Sequence, residues 1–178
     1  VERHRIMTLF AVDTDMRWSE ISGLRRQKLD FVNRKVHVTE QLVRLEDGRF
    51  LRREPKTAAG VRSISISPPQ IGELVAEQIE KFTEAGKDAL VFTSGSGASI
   101  ACSSFPTHHF GPARRAAGLE CRFDDLRATL VCRVAIAAGA HPKAIQARTG
   151  HSSISVTLDR YGQHFPELDI EIADAFHV

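Results

Sequence analysis

The sequence predicts an α+β fold: a mainly helical body carrying one small three-stranded antiparallel sheet. Three observations lead there. Apolar residues recur at helical spacing along much of the chain, period-two alternation is confined to roughly residues 36–66, and turn residues punctuate both regimes. The 178 residues make one globular domain, and 42% hydrophobic against 26% charged residues supply a core without covalent staples. That balance excludes a disordered tail or a fibrous repeat. No apolar run approaches the roughly 20 residues that a membrane span needs, and the opening VERHRI carries no export signal.

In chain order, Ile6, Leu9, Phe10 and Val12 predict a helix over 5–13, closed by the polar break Asp13-Thr14-Asp15. Ser19–Gln27 reads as a second short helix with Ile21 and Leu24 inward. Val36, Val38 and Leu42 alternate with His37, Thr39 and Gln41, the signature of a strand. Asp47-Gly48 supplies a hairpin turn. A second strand follows near 49–54, a turn at Lys56–Gly60, and a third strand through Val61, Ile64 and Ile66. Ser67-Pro68-Pro69 is a helix start, and Ile71, Leu74, Val75, Ile79 and Phe82 form an apolar stripe up to Gly86. Further helices are predicted at about 105–117, 125–138, 142–149, 152–161 and 166–176, with Pro142, Gly150 and Gly162 as punctuation.

Cys102, Cys121 and Cys132 are an odd set with no close pair, so neither a disulfide framework nor a zinc site is predicted. Reduced thiols suit a cytoplasmic protein. The formal net charge is only +2, but residues 1–62 hold 14 Lys+Arg against 9 Asp+Glu. A basic first third suits phosphates as well as a plain solvated face.

Several polar residues sit where chemistry is available. Tyr161 is the single tyrosine, on one helix face with Ile154 and Leu158, where a ring also serves as an ordinary core residue. His151 follows Gly150 and precedes two serines that can cap the next helix. A histidine donor there suits a phosphate oxygen, although a plain turn residue fits the position too. Arg127 lies in the first turn of a helix, where a cation opposes the helix dipole, with Asp124 and Asp125 as natural caps and charge partners. Arg17 stands at a helix start beside Trp18, and Lys56 in a tight turn between two strands.

Taken in order, the phrases TDMRWSEI, EPKTAAGVR, DDLR, TGHSS and LDRYG resemble the tyrosine recombinase (phage integrase) catalytic domain. The resemblance covers nearly the whole chain, 1–178, and Glu20 matches the family's acidic position three residues after the first arginine. It implies site-specific DNA strand exchange, as in integration or excision of a mobile element, through a 3′-phosphotyrosyl intermediate. Tyr161 would attack, Arg17, Arg127 and His151 would stabilise charge, and Lys56 would act as general acid, with no metal and no cofactor. It also implies double-stranded DNA as partner, a tetramer on that DNA, accessory DNA-bending proteins, no membrane, and a nucleoid-associated cytoplasmic location. The family's preceding core-binding domain is not in these residues, which, with the Val start, reads as a piece of a longer chain.

The sequence departs from the family pattern at three places, one of them Ala128, where the residue after the second arginine is often histidine. Asp124 stands where the family has histidine, and Asp15-Met16 where it has Gly-Leu. A catalytically impaired remnant that binds or regulates DNA is therefore the alternative. Asp124 is expected either to cap its helix or to serve as a base for Tyr161, with capping favoured.

Overall fold

Helix α1 (Glu2–Thr14) is buried along most of its length, which makes it the axle of the fold. Ile6, Met7, Phe10 and Ala11 are all withdrawn from water, whereas Leu9 and Val12 of the expected stripe are only half-buried. The helix packs against α3 (Pro69–Phe82) and α5 (Asp125–Thr129). The computed structural model describes residues 2–67, 69–129 and 135–162. Among these residues, no helix is long and apolar enough to cross a membrane.

The expected second helix is shorter than its apolar spacing suggests. Only Trp18–Ile21 is helical (α2), and a 3₁₀ turn at Arg26–Lys28 follows. Gly23 permits a close crossing here. A Cβ on it would lie 2.7 Å from the Leu42 Cβ and 2.9 Å from the Leu42 nitrogen.

The sheet differs from expectation in a way that matters for the site. Five short strands form two sheets: β1 (Leu29–Asp30), β2 (Lys35–Val38) and β5 (Arg62–Ser65) in one, β3 (Gln41–Arg44) and β4 (Phe50–Arg53) in the other. All neighbours are antiparallel, with Val36 opposite Ile64 and Leu42 opposite Arg52. The strand expected across 36–42 breaks at Thr39-Glu40. There the Glu40 carboxylate accepts from Arg25 at 2.5 and 2.6 Å and from Arg52 at 2.8 Å. A triad of that kind holds the backbone in a bend that a continuous strand would not allow. The segment between β4 and β5 therefore crosses from one sheet to the other and is not a hairpin.

Val36, Val38, Ile64 and Ile66 turn their side chains onto α1 and α3, joined by Val91, Phe92, Phe105, Phe110 and Phe123. Residues 105–117 are helical with a π-turn, Pro106–Phe110, ahead of α4 (Gly111–Ala116). The helix expected over 125–138 is α only to Thr129, and 136–139 form a turn in which Gly139 has φ +71°. Residues 130–134 and the helix expected at 166–176 lie outside the described residues. Helices α6 (Pro142–Thr149) and α7 (Ile154–Tyr161) are the last elements among the described residues and lie where expected. Ser153 caps α7 through a bond from the Val156 N–H, and Gly150 closes α6 at φ +68°.

Candidate active site

The turn between α1 and α2 sets the first wall of the site. Asp15 adopts φ +54°, a left-handed conformation that reverses the chain so that Arg17 opens α2. Glu20 then reaches back: its Oε2 accepts from the Arg17 backbone N–H at 2.8 Å and its Oε1 from the Arg17 guanidinium at 3.0 Å. Arg17 is left 37% exposed, tethered yet open to solvent.

Two clefts meet at Arg17. The larger, about 650 Å³, is walled by Arg17, Trp18, Asp124, Arg127, Arg160 and Tyr161. The smaller, about 420 Å³, holds Arg17 again with Lys56, Thr57, Gly150 and Ser152. Lys56 thus faces the same arginine from the sheet-to-sheet crossover. His151 lies beneath, 5% exposed, its ring stacked on Tyr161 at 6.2 Å between centroids and 19° between planes. The structure thereby brings Arg17, Asp124, Arg127 and Tyr161 to one cleft and Lys56 to the adjoining one, while His151 is buried against the Tyr161 ring and lines neither.

Burial sets the protonation states. It holds the His151 imidazole neutral, lowered to about 4, and the positive charges of Arg127, Arg160, Arg17 and Arg62 add to the effect. His151 Nδ1 lies 2.9 Å from the buried Thr157 hydroxyl, one turn before Tyr161 on α7. In the tautomer whose Nδ1 accepts from the Thr157 hydroxyl, the ring carries its proton on Nε2 and can donate there. Burial also raises the Tyr161 phenol above its ordinary value; the Asp15 charge adds to that rise, and Arg160 and Arg127 oppose it. The phenol is therefore protonated at neutral pH.

Arg127 departs from the sequence reading. Its partner is neither Asp124 nor Asp125 but Asp15, 112 residues earlier. Nε donates to the Asp15 carbonyl at 2.9 Å and to Oδ1 at 3.1 Å, and Nη2 donates to Oδ2 at 3.2 Å and to the Thr149 carbonyl at 3.4 Å. The Nη1 end takes no part in these bonds. Asp15 is fully buried, and burial raises its carboxyl to about 6 against the pull of Arg127, Arg62 and Arg17. Asp125 instead accepts from Arg122, and the Asp124 carboxylate, exposed at the rim, makes no hydrogen bond among the described residues. The favoured expectation that Asp124 caps its helix is therefore not met, because the Asp125 carboxylate already closes that turn onto the Arg122 backbone N–H at 2.7 Å.

Sequence reasoning passed over Asp15 as a partner of Arg127, and also Arg62, Arg148 and Thr157. Thr157 had a usable signal, four residues before Tyr161 on the same helix face. Among the described residues there is no group of three or more His, Cys, Asp or Glu side chains able to hold a metal ion.

A helical body with a small antiparallel β-edge, and a cleft lined by arginines and a tyrosine that a buried histidine backs, define the class of tyrosine recombinase catalytic domains. The chain belongs to the phage integrase family, whose family model matches residues 2–167. A Mycobacterium tuberculosis protein named as the prophage phiRv2 integrase is 31% identical over 180 residues, covering 96% of this chain and 45% of that protein. The chain thus spans less than half the length of the curated relatives it matches. The Tn1549 transposon integrase, solved in complex with circular intermediate DNA, superposes with a TM-score of 0.79 at 26% identity, over 98% of this chain and 58% of that one. The fold is also that of the catalytic domain of bacteriophage HP1 integrase, with TM-score 0.60, 16% identity, and coverage of 97% and 80%. For the XerH site-specific recombinase bound to its difH substrate the values are 0.69, 19%, 98% and 46%.

Proposed function

We propose that the chain is the catalytic domain of a site-specific DNA recombinase that integrates or excises a mobile element. The observation that carries this reading is the convergence of Arg17, Arg127 and Tyr161 on one cleft, with Lys56 across Arg17 and His151 beneath the tyrosine. Strand exchange without an external energy source needs the phosphodiester energy kept in a covalent link, and a tyrosyl phosphodiester keeps it. The Tyr161 oxygen attacks the scissile phosphorus, an O–P bond forms, and the bond to the 5′-oxygen breaks. The phenolic proton passes to solvent water in the open cleft, and the 5′-oxygen takes a proton from Lys56, which is left neutral until it regains one from solvent.

Charge builds on the non-bridging oxygens as the phosphorus becomes pentacoordinate. The open edge of Arg17, the Nη1 of Arg127, which makes no hydrogen bond among the described residues, and an Nε2–H of neutral His151 are donors suited to those oxygens. In this reading Asp124 takes no proton from Tyr161, since an ionised carboxylate at the rim repels the phosphate it would have to approach.

One tyrosine per chain has a consequence for assembly. Exchange between two duplexes breaks four strands, so four protomers must gather on double-stranded DNA, with DNA-bending proteins helping to bring the sites together. The protein acts on DNA in the cytoplasm, at the nucleoid, and residues 1–178 serve as the catalytic unit.

The test is a nicked duplex whose cleaved fragment diffuses away and traps the covalent protein. Wild type accumulates an adduct, and Tyr161→Phe accumulates none while keeping its fold and its DNA affinity, because only a hydroxyl is lost. Specific binding by wild type without any adduct would defeat the enzymatic reading and favour a DNA-binding remnant.

A further inference from the structure

Helix α6 ends in three consecutive carbonyls, and each accepts from a different guanidinium. Arg148 O receives Arg62 Nε at 2.9 Å, Thr149 O receives Arg127 Nη2 at 3.4 Å, and Gly150 O receives Arg17 Nη2 at 3.2 Å. Free carbonyls at a helix C-terminus carry partial negative charge, so three cations there are in favourable places. Two of these donors, Arg17 and Arg127, face the large cleft. Arg62 lines neither cleft, and its side chain is 5% exposed.

Arg62 spends its fork on three separate elements. Nη1 and Nη2 grip Glu20 at 3.1 Å (Oε1) and 2.9 Å (Oε2), Nη1 also donates to the Gly60 carbonyl at 3.1 Å, and Nε holds the end of α6. Glu20 is the carboxylate that tethers Arg17, Gly60 closes the turn that carries Lys56, and the end of α6 leads directly into His151. The packing is tight as well: a Cβ on Gly150 would meet Arg62 Nη1 at 3.0 Å. Burial alone would raise the Glu20 carboxyl, but the hydrogen bonds and charges of Arg62 and Arg17 bring it below its ordinary value. Arg62 and Arg17 thus share one carboxylate, so the place of the Glu20 oxygens that tether Arg17 is set in part by Arg62.

We propose that Arg62 is a positioning residue for the recombination chemistry, fixing Arg17, Lys56 and His151 relative to one another through one rigid guanidinium. This rests on the recombinase reading above. A lysine keeps the charge but offers a point donor that cannot serve Glu20, Gly60 and Arg148 together. The effect belongs in the chemical step, because Arg62 lines neither cleft and the phosphate-facing donors remain present.

The experiment compares wild type with Arg62→Lys on the nicked duplex, measuring DNA affinity, melting temperature and the single-turnover rate of adduct formation at saturating DNA. The expected result is DNA affinity within about twofold and a rate lowered by roughly tenfold to a hundredfold, the scale of a misplacement near 1 Å. In a Glu20→Gln background the same replacement should slow the reaction much less, since both changes act through one carboxylate. Equal rates for wild type and Arg62→Lys at saturating DNA would overturn the proposal, as would full additivity with Glu20→Gln. Amide hydrogen exchange gives a readout free of cleavage. In Arg62→Lys, or in Arg62→Gln paired with Glu20→Gln should the lysine variant not fold, exchange at Gly60, Gly150 and His151 should quicken while α1 and α3 stay protected. Unchanged exchange at those three amides also overturns it. An absence of adduct in wild type would strike the recombinase reading instead, and the exchange result would still decide the role of Arg62.

Discussion

Two regions of the molecule are held together by different forces. Around α1, nineteen buried apolar residues form one continuous core, with Phe10 and Phe92 in ring contact at 5.8 Å. Under α6 and α7 the apolar cluster is Ile136, Ile145 and Tyr161, edged by Ala135 and Ala140. What fastens that second unit to the first is mostly polar. Arg17, Arg62 and Arg127 reach into the end of α6, while Arg148 reaches back to the carbonyls of Asp13 at 2.5 Å and Ser65 at 3.2 Å. Among the described residues, the tyrosine-bearing unit is thus tied to the first by directional bonds that specify its geometry.

The comparison breaks most visibly in the large core. Phe10→Ala should lower global stability by about 3–5 kcal/mol, read by denaturant unfolding. A loss below about 1 kcal/mol would mean that α1 is not the axle described here. Next, Ile145→Ala should cost about 2 kcal/mol, since the buried side chain packs with Ile136 and Tyr161 among the described residues. Its effect should be local, with amide exchange in α6 and α7 accelerating while α1 and α3 stay protected. Uniform acceleration through all four helices would merge the two regions into one cooperative unit.

The smallest effect is a pH dependence drawn from both regions. His4, in the large core, and His151, under the cleft, are each lowered by burial from 6.5 to about 4. Each contributes stability that is present above pH 6.5 and lost as pH falls through about 4. Asp15 acts the other way: raised from 3.8 to about 6, it contributes stability present below 3.8 and lost as pH rises through about 6. Two groups against one predict a melting temperature that climbs from pH 4.5 to 6.5, and Asp15→Asn should steepen the climb. A flat or falling profile in wild type would show that the histidines do not behave as buried neutral rings.

Helix α3 shows what a sequence discloses well. Its apolar stripe and its proline start name the element, and Val75 and Ile79 are indeed buried. The strand break at Glu40 was hidden because the alternation continues across it, and only a partner at Arg25, far from the ladder, reveals the bend. At the site, local phrases single out Arg17, Lys56, Arg127, His151 and Tyr161, and the fold gathers them around two adjoining clefts. Their supports were not legible. Asp15 pairs with Arg127 across 112 residues, and beside the Glu20 carboxylate the acceptors for Arg17, Arg62 and Arg148 include main-chain carbonyls, which every residue carries and which therefore leave no mark in a sequence.

Those carbonyl acceptors have an asymmetric consequence for mutation. No side-chain replacement at Arg148, Thr149 or Gly150 can delete the oxygens that Arg62, Arg127 and Arg17 grip, so the end of α6 tolerates drift in its chemistry provided its backbone path survives. Each arginine, by contrast, is a single point of failure. The exception is Gly150, whose φ of +68° and lack of room for a Cβ put the backbone path itself at risk. Around the end of α6, random substitution should therefore meet intolerance at the three donors, at Arg148, whose own side chain holds Asp13 and Ser65, and at one glycine.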